Sequence, residues 1–276
     1  MTAQLVRLDG VDIAAPGPGA ALRVRPNIEG WWGSPTAEDD AERRPGAHGS
    51  WPGVTSLSPR VVVVAGLLTG TSHAAAVAGL DALKGMVRTV DTVLEVETPA
   101  GAKRAVVRRD GQVLTTWHSE RQVTVSLQMI AHDPRIFGQE RRHFLQTGGA
   151  AGAFEYPVMY PITYGTAEIA QNTAVLVNDG NEAAHPVVSV RGDFPSGFRL
   201  TSGDSELTYS APVFAGTPVV VDFLSRTVTQ SGGLRTVHLT RRDFWEVPAG
   251  GSASITLIPI SAGYGWAEAV VTDTYL

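Results

Sequence analysis

Val175-Leu176-Val177, Val187-Val188-Ser189-Val190, Val219-Val220-Val221-Asp222-Phe223-Leu224, Val237-His238-Leu239 and Ile255-Thr256-Leu257-Ile258 follow one another through the second half of the chain. Between them stand Asn178-Asp179-Gly180-Asn181, Ser231-Gly232-Gly233 and Pro248-Ala249-Gly250-Gly251. Short β-branched runs bounded by such turn formers are strands in series. No convincing helical interval interrupts them from Thr173 onward. Each strand must bury one face, so this half predicts an antiparallel β-sandwich or a barrel.

The first half is mixed. Leu5 to Ile13 changes polarity as one or two short strands do, and Pro16, Gly17, Pro18 and Gly19 then break regular structure. Residues 27–59 are poor in β-branched side chains and rich in Gly, Pro and charge, which reads as a long loop. Loops beyond about 15 residues are unusual inside a compact domain and tend to be functional or disordered. Trp31, Trp32 and Trp51 lie in this one. Their rings either pin the loop to its own domain or order it against a partner, where aromatic anchors carry much of the binding energy. With Arg60, at the Pro-Arg turn that ends the loop, they are the interface candidates.

Val61 to Ala65 predicts a strand buried on both faces, ended by Gly66. Thr71 or Ser72 caps a helix in which Val77, Leu80, Leu83 and Val87 form one apolar stripe. Strands are predicted at 92–97, 105–109 and 112–116, the last two joined by a tight Asp110-Gly111 hairpin. Val123, Val125, Leu127 and Met129 alternate with polar residues, so that strand has one buried face. Asp133-Pro134 ends it, with His132 and Asp133 capping the strand end. Residues 138–153, containing Gly148, Gly149 and Gly152, read as the passage between domains. The expected organisation is mainly β, a mixed domain with one helix over 1–145 and a sandwich over 146–276.

At 276 residues and 43% hydrophobic content the chain is long enough for two globular domains. A net charge of -5 lacks the basic excess that phosphate binding needs. There is no cysteine, which excludes disulfides and thiolate metal sites. The longest strong apolar run, Val61 to Leu68, is too short to span a membrane, and the N-terminus has no basic-then-apolar leader. Neither secretion by a cleaved signal nor membrane insertion is expected.

Chemistry-bearing motifs are weak. Gly17-Pro18-Gly19 has neither the spacing nor the preceding strand of a dinucleotide site, and no glycine loop ends in Lys-Ser or Lys-Thr. None of His48, His73, His118, His132, His143, His185 and His238 pairs at the spacing of a helical zinc site. Gly70-Thr71-Ser72-His73 sets a serine beside a histidine, but no G-x-S-x-G elbow exists, and helix capping explains it. Glu155, Asp193, Asp204, Glu206, Asp222 and Glu246 supply carboxylates with no preferred pair for glycosidase chemistry. No catalytic, cofactor-binding or metal-ligating residue is assigned, and no enzyme activity is expected.

Taken in order, several phrases carry a resemblance. They are the segment from Gly49 through Ser58-Pro59-Arg60 into Val61-Val62-Val63-Val64-Ala65-Gly66, the helix with Leu80 and Leu83, and Ala131-His132-Asp133-Pro134-Arg135-Ile136-Phe137-Gly138. Next come His185-Pro186-Val187-Val188-Ser189-Val190-Arg191-Gly192 after Asn178-Asp179-Gly180-Asn181, and Arg242-Asp243-Phe244-Trp245-Glu246-Val247-Pro248-Ala249-Gly250 before Ser254-Ile255-Thr256-Leu257. Over nearly its whole length the chain thus resembles the distal tail proteins of long-tailed, non-contractile phages. The resemblance implies an N-terminal belt domain that closes a homo-hexameric ring and an outward galectin-like β-sandwich. It also implies a place at the virion tail tip, partners in the tail tube protein, the tail-associated hub protein and the tape-measure protein, and DNA passing through the lumen without tight binding. A tip protein of another injection machine would share these features. The alternative class is a carbohydrate-binding module, for which Tyr209, Trp245, Tyr264 and Trp266 are the candidate residues, along with Phe214 and Phe223. The sandwich carries no large insertion of the kind that supplies carbohydrate-binding modules in some relatives, which speaks against direct host binding.

Overall fold

The computed structural model describes residues 5–25, 27–147, 171–261 and 263–276. They divide into two compact units, Met1–Gly138 with Tyr275–Leu276, and Gln139–Thr274. The fold is mainly β, and among the described residues the single α-helix is His73–Met86. Gly148, Gly149, Gly152 and Glu155 lie outside the described residues.

In the first unit, Val11–Asp12, Leu5–Leu8, Thr92–Thr98 and Gly101–Arg109 pair antiparallel in that order. Leu114–Ser119, Gln122–Ala131, Arg60–Gly70 and Ala20–Val24 form a second antiparallel run. The two runs meet where Arg108 and Arg109 pair with Ile130 and Met129. Ser72 caps the helix, its hydroxyl accepting from the Ala75 amide at 3.2 Å. Leu80 and Leu83 then join Val62, Val64, Leu68, Val123, Val125, Leu127 and Met129 in one core. Gly79 lets the helix lie close on its strand, because a Cβ there would stand 2.6 Å from that of Ala20.

Three expectations are corrected here. The strand from Arg60 is longer than 61–65, running to Gly70, and it buries only one face: Val62 is fully enclosed while Val61 remains 41% exposed. Asp110-Gly111 does not close a hairpin. Gly101–Arg109 pairs back on Thr92–Thr98, and Leu114–Ser119 pairs forward on Gln122–Ala131. The Asp110 amide donates to the Gln128 carbonyl at 3.0 Å and its carboxylate accepts from Gln128 Nε2 at 2.9 Å, which carries the chain across instead of back. Residues 138–146 are not a passage but belong to the strand Ile136–Gln146. The glycines at 148, 149 and 152 made the segment read as a linker, yet its first part is a strand whose arginines are answered within the second unit: Arg141 by Asp273 and Asp179, Arg142 by Glu140 and Glu268.

The loop at 27–59 holds two short antiparallel ladders, Ala37–Asp39 with Thr55–Leu57 and Glu42–Arg43 with Ser50–Trp51. All their residues are exposed, so they form an arm without a core of its own. Its root is held by Arg60. This side chain is 3% exposed. Nε donates to the Pro134 carbonyl at 2.9 Å, and Nη1 to those of Gly30 at 2.7 Å and Gly33 at 2.5 Å. Burial lowers the guanidinium pKa from its ordinary value, and an arginine nonetheless stays charged in proteins. The clamp fixes the backbone on both sides of Trp31, whose ring enters the core at 2% exposure.

The second unit is a sandwich. Thr173–Asn178, Gly251–Pro259, Phe198–Ser202, Ser205–Tyr209 and Leu239–Arg242 make one sheet in that order. Opposite it, Tyr264–Tyr275 pairs with Val187–Asp193, which pairs with Val219–Asp222 and through it with Thr227–Gln230. Alternate residues of both sheets meet, among them Leu176, Val188, Val190, Leu200, Leu207, Val219, Val221, Ile255, Leu257, Ala267 and Ala269, all fully enclosed or nearly so. Asn178, expected in a solvent turn, is buried at 0% exposure. Its amide donates to the carbonyls of Glu182 at 2.7 Å and Pro248 at 3.2 Å, and its oxygen accepts from the amides of Gly180 at 3.0 Å and Thr274 at 3.2 Å. Gly180 has no room for a side chain, since a Cβ would sit 1.8 Å from the Thr274 carbonyl oxygen.

Two stability outcomes follow. Arg60→Leu leaves buried carbonyls without donors and should destabilise the first unit by about 3 kcal/mol, at 1–3 kcal/mol per orphaned group. Trp31→Ala should cost about 3–5 kcal/mol as a large-to-small core change. Urea unfolding followed by circular dichroism reads both, and a loss under about 0.5 kcal/mol for either would contradict its assignment to a buried role.

Candidate functional site

The interface candidates separate by burial. Trp31 and Arg60 are structural, one in the core and the other holding the loop root, so neither is open to a partner. Trp32 and Trp51 are outside, 55% and 57% exposed. Trp31 and Trp32 share a turn, in which the first ring enters the core and the second faces outward. Trp51 lies on the arm opposite Glu42, and the Arg44 guanidinium stands 4.4 Å over its ring. Val54 and Leu57 extend the exposed apolar surface of the arm. Gly53 lets the two arm strands approach, because a Cβ would be 2.0 Å from the Asp40 carbonyl oxygen. The strand Leu114–Ser119 is a second open element: among the described residues it pairs only with Gln122–Ala131, and every residue of it is exposed.

The sugar-binding candidates also separate. Tyr209 is fully buried, stacked on Phe198 at 5.5 Å between ring centres, and burial raises its phenol pKa above the ordinary value. Phe223 is enclosed too, with Trp245 packed edge-on against it at 4.6 Å. Tyr209 and Phe223 are core and cannot face a ligand, and Trp245 is half-buried against them. Tyr264 and Trp266 are different, at 59% and 39% exposure. They are two residues apart on the strand Tyr264–Tyr275 and so share its outer face.

Trp266 lies opposite Arg191 in the neighbouring strand, whose guanidinium is 5.1 Å from the ring centre. On its other side Phe144, 63% exposed, stands 6.3 Å away. A cleft of about 420 Å³ opens beside these rings, lined by Gln146, Thr147, Arg191, Tyr264, Trp266 and the small residues Gly192, Ala215 and Gly265. Thr147 fixes one wall: its amide and hydroxyl donate to the Gly265 carbonyl at 2.9 and 3.1 Å, and its hydroxyl accepts from the Gly265 amide at 2.9 Å. Sequence reasoning missed Phe144, Gln146 and Thr147 because it read their strand as a linker. The alternation of Phe144 and Gln146 with buried Leu145 was the available signal.

The serine beside a histidine resolves as a cap, with His73 Nδ1 2.8 Å from the Glu120 carbonyl oxygen. Asp133 accepts from the Arg135 amide at 3.1 Å and from its guanidinium, making the turn before the next strand. Among the described residues no three His, Asp or Glu side chains gather as a metal site, and no helix is long and apolar enough to cross a membrane.

No protein-family model matches the sequence, and no curated protein matches it either. Solved structures do. The SPP1 Dit protein (gp 19.1), described as a paradigm of the hub adsorption apparatus in phages infecting Gram-positive hosts, superposes with a TM-score of 0.69 at 12% identity, over 99% of this chain and 100% of that one. A chain of the phage P2 baseplate in its activated conformation with Ca gives a TM-score of 0.50 at 10% identity, over 98% of each chain. End to end, therefore, this chain has the fold of a phage distal tail protein, and it shares that fold at a sequence identity too low to carry residue roles across.

Proposed function

We propose that the chain is a structural, non-catalytic component of a phage tail tip, six copies of which close a ring between the tail tube and the hub that carries the receptor-binding apparatus. The virion tail tip is then its location, the tape-measure protein a further neighbour, and the ring lumen the path of the genome. The observation that carries this reading is the whole-length match to the SPP1 hub protein, both units included. Two features of the first unit support it. The open strand Leu114–Ser119 and the coreless arm each present backbone and apolar groups that a closed ring would cover. The net charge of -5 suits a conduit that releases DNA.

Native mass spectrometry should give six times the chain mass of 29.2 kDa, or twice that for stacked rings. A monomer at every concentration, alone and with the tube protein present, would overturn the ring. Purified ring should show weak binding to duplex DNA; tight binding that weakens steeply with salt contradicts the conduit.

The arm gives a sharper outcome. Trp32→Ala with Trp51→Ala should weaken assembly or docking by about thirtyfold or more, as loss of a 2 kcal/mol anchor does. Both rings are exposed, so the urea midpoint of the variant should match wild type. Assembly at the wild-type concentration would show that the arm is not an interface.

A further inference from the structure

The cleft beside Tyr264 and Trp266 lies wholly in the second unit and uses no residue of the arm or of the open strand. Its volume of about 420 Å³ falls within the 300–1,000 Å³ of small-molecule sites. Two exposed rings on one strand face, with Phe144 continuing the row, make a stacking platform that a folded domain does not keep in water for its own stability. Polar groups stand at its rim: the Gln146 amide, the Tyr264 hydroxyl, the Trp266 Nε1 donor and the Arg191 guanidinium. No described residue accepts a hydrogen bond from the Arg191 guanidinium, which rests on the Trp266 ring and holds it in place.

The floor is built with equal economy. Gly192, at φ +143°, faces Gly265 across the ladder. A Cβ on Gly192 would meet the Tyr264 carbonyl oxygen at 2.4 Å, and one on Gly265 would meet the Arg191 carbonyl oxygen at 2.3 Å. Both missing side chains would point to the face away from the rings, where Phe194 fills the core, so the glycines let the two backbones pair closely behind the cleft, while Thr147 locks the third strand to Gly265.

A pyranose has an apolar C–H face and a rim of hydroxyls that donate and accept. The cleft offers the complement of both, rings below and mixed amide, hydroxyl and guanidinium groups around. Its lining contains one cation and no carboxylate, which disfavours a cationic ligand, and a single arginine is too little for a polyphosphate. A protein partner would need a patch several times wider. We propose that this cleft is a binding site for a short saccharide, neutral or singly anionic, with Trp266 and Tyr264 stacking on sugar rings and Arg191 and Gln146 bonding hydroxyls.

The test uses the full chain on an array of neutral and acidic oligosaccharides, followed by titration of the retained sugars by isothermal calorimetry. At least one saccharide should bind, and Trp266→Ala and Tyr264→Ala should each weaken it by about tenfold or more. Arg191→Gln, which keeps the size of the wall, should weaken acidic sugars more than neutral ones. Trp32→Ala in the other unit serves as the control and should leave binding unchanged. Failure of every saccharide to bind, or binding indifferent to Trp266→Ala in a variant with the wild-type unfolding midpoint, overturns the proposal. If no sugar binds and Trp266→Ala instead lowers the mass of the assembly, the proposal is overturned and the cleft is a contact between copies. Sugar binding or its absence leaves the ring reading untouched, since the native mass of the wild-type chain decides that.

Discussion

A single buried guanidinium sets the geometry of the first unit. Arg60 reaches four backbone carbonyls from two distant parts of the chain, Gly30, Trp31 and Gly33 at the root of the arm and Pro134 after the long strand. A charge at 3% exposure is tolerable only where such acceptors converge. Because they do, the backbone around Trp31 has one allowed path. That path sends one tryptophan into the core and its neighbour out. The exposed arm follows from the same constraint, being a polar excursion anchored at its base and otherwise free of packing.

The second unit solves a matching problem with a neutral group. Asn178 spends its amide and its oxygen on backbone partners from three segments, and Gly180 lets Thr274 approach to a distance no side chain permits. Around it Asp273, almost buried, accepts from the Asp179 amide at 2.8 Å and pairs with Arg141. Removing one partner of such a group strands the others, which is why polar residues in a sandwich corner specify its closure more than they add to its stability. The exposed ion pairs, such as Arg7 with Glu95 and Glu97, contribute little by comparison.

The two units therefore divide the work by how they treat aromatic rings. In the second, Phe194, Phe198, Tyr209 and Phe223 are enclosed between the sheets and make a rigid body. On its outer face the rings of Phe144, Tyr264 and Trp266 stay in water beside a cleft. In the first unit the exposed rings are Trp32 and Trp51 on the arm and Trp117 on the open strand. A shared fold at 12% identity is consistent with this division, since a sandwich needs only alternation and volume in its interior and leaves its outer faces free to vary.

The residues by themselves determined the fold class and most strands. Period-two alternation from Val123 to Met129 and the β-branched runs after Thr173 leave one face apolar, and only a sheet buries such a face. The helix was legible for the same reason, through its stripe and its Ser72 cap. What pairs with what was not legible. Asp110-Gly111 has the chemistry of a hairpin, but hydrogen bonds to Gln128, far along the chain, decide where the strand goes. The charged strand Ile136–Gln146 could not be recognised without the carboxylates of Asp179, Glu268 and Asp273 that neutralise it. Composition likewise marked the tryptophans and the C-terminal aromatics as notable without sorting them. Burial is a property of neighbours distant in sequence, so only the tertiary structure placed Trp31 and Tyr209 inside and left Trp32, Trp51, Tyr264 and Trp266 facing water.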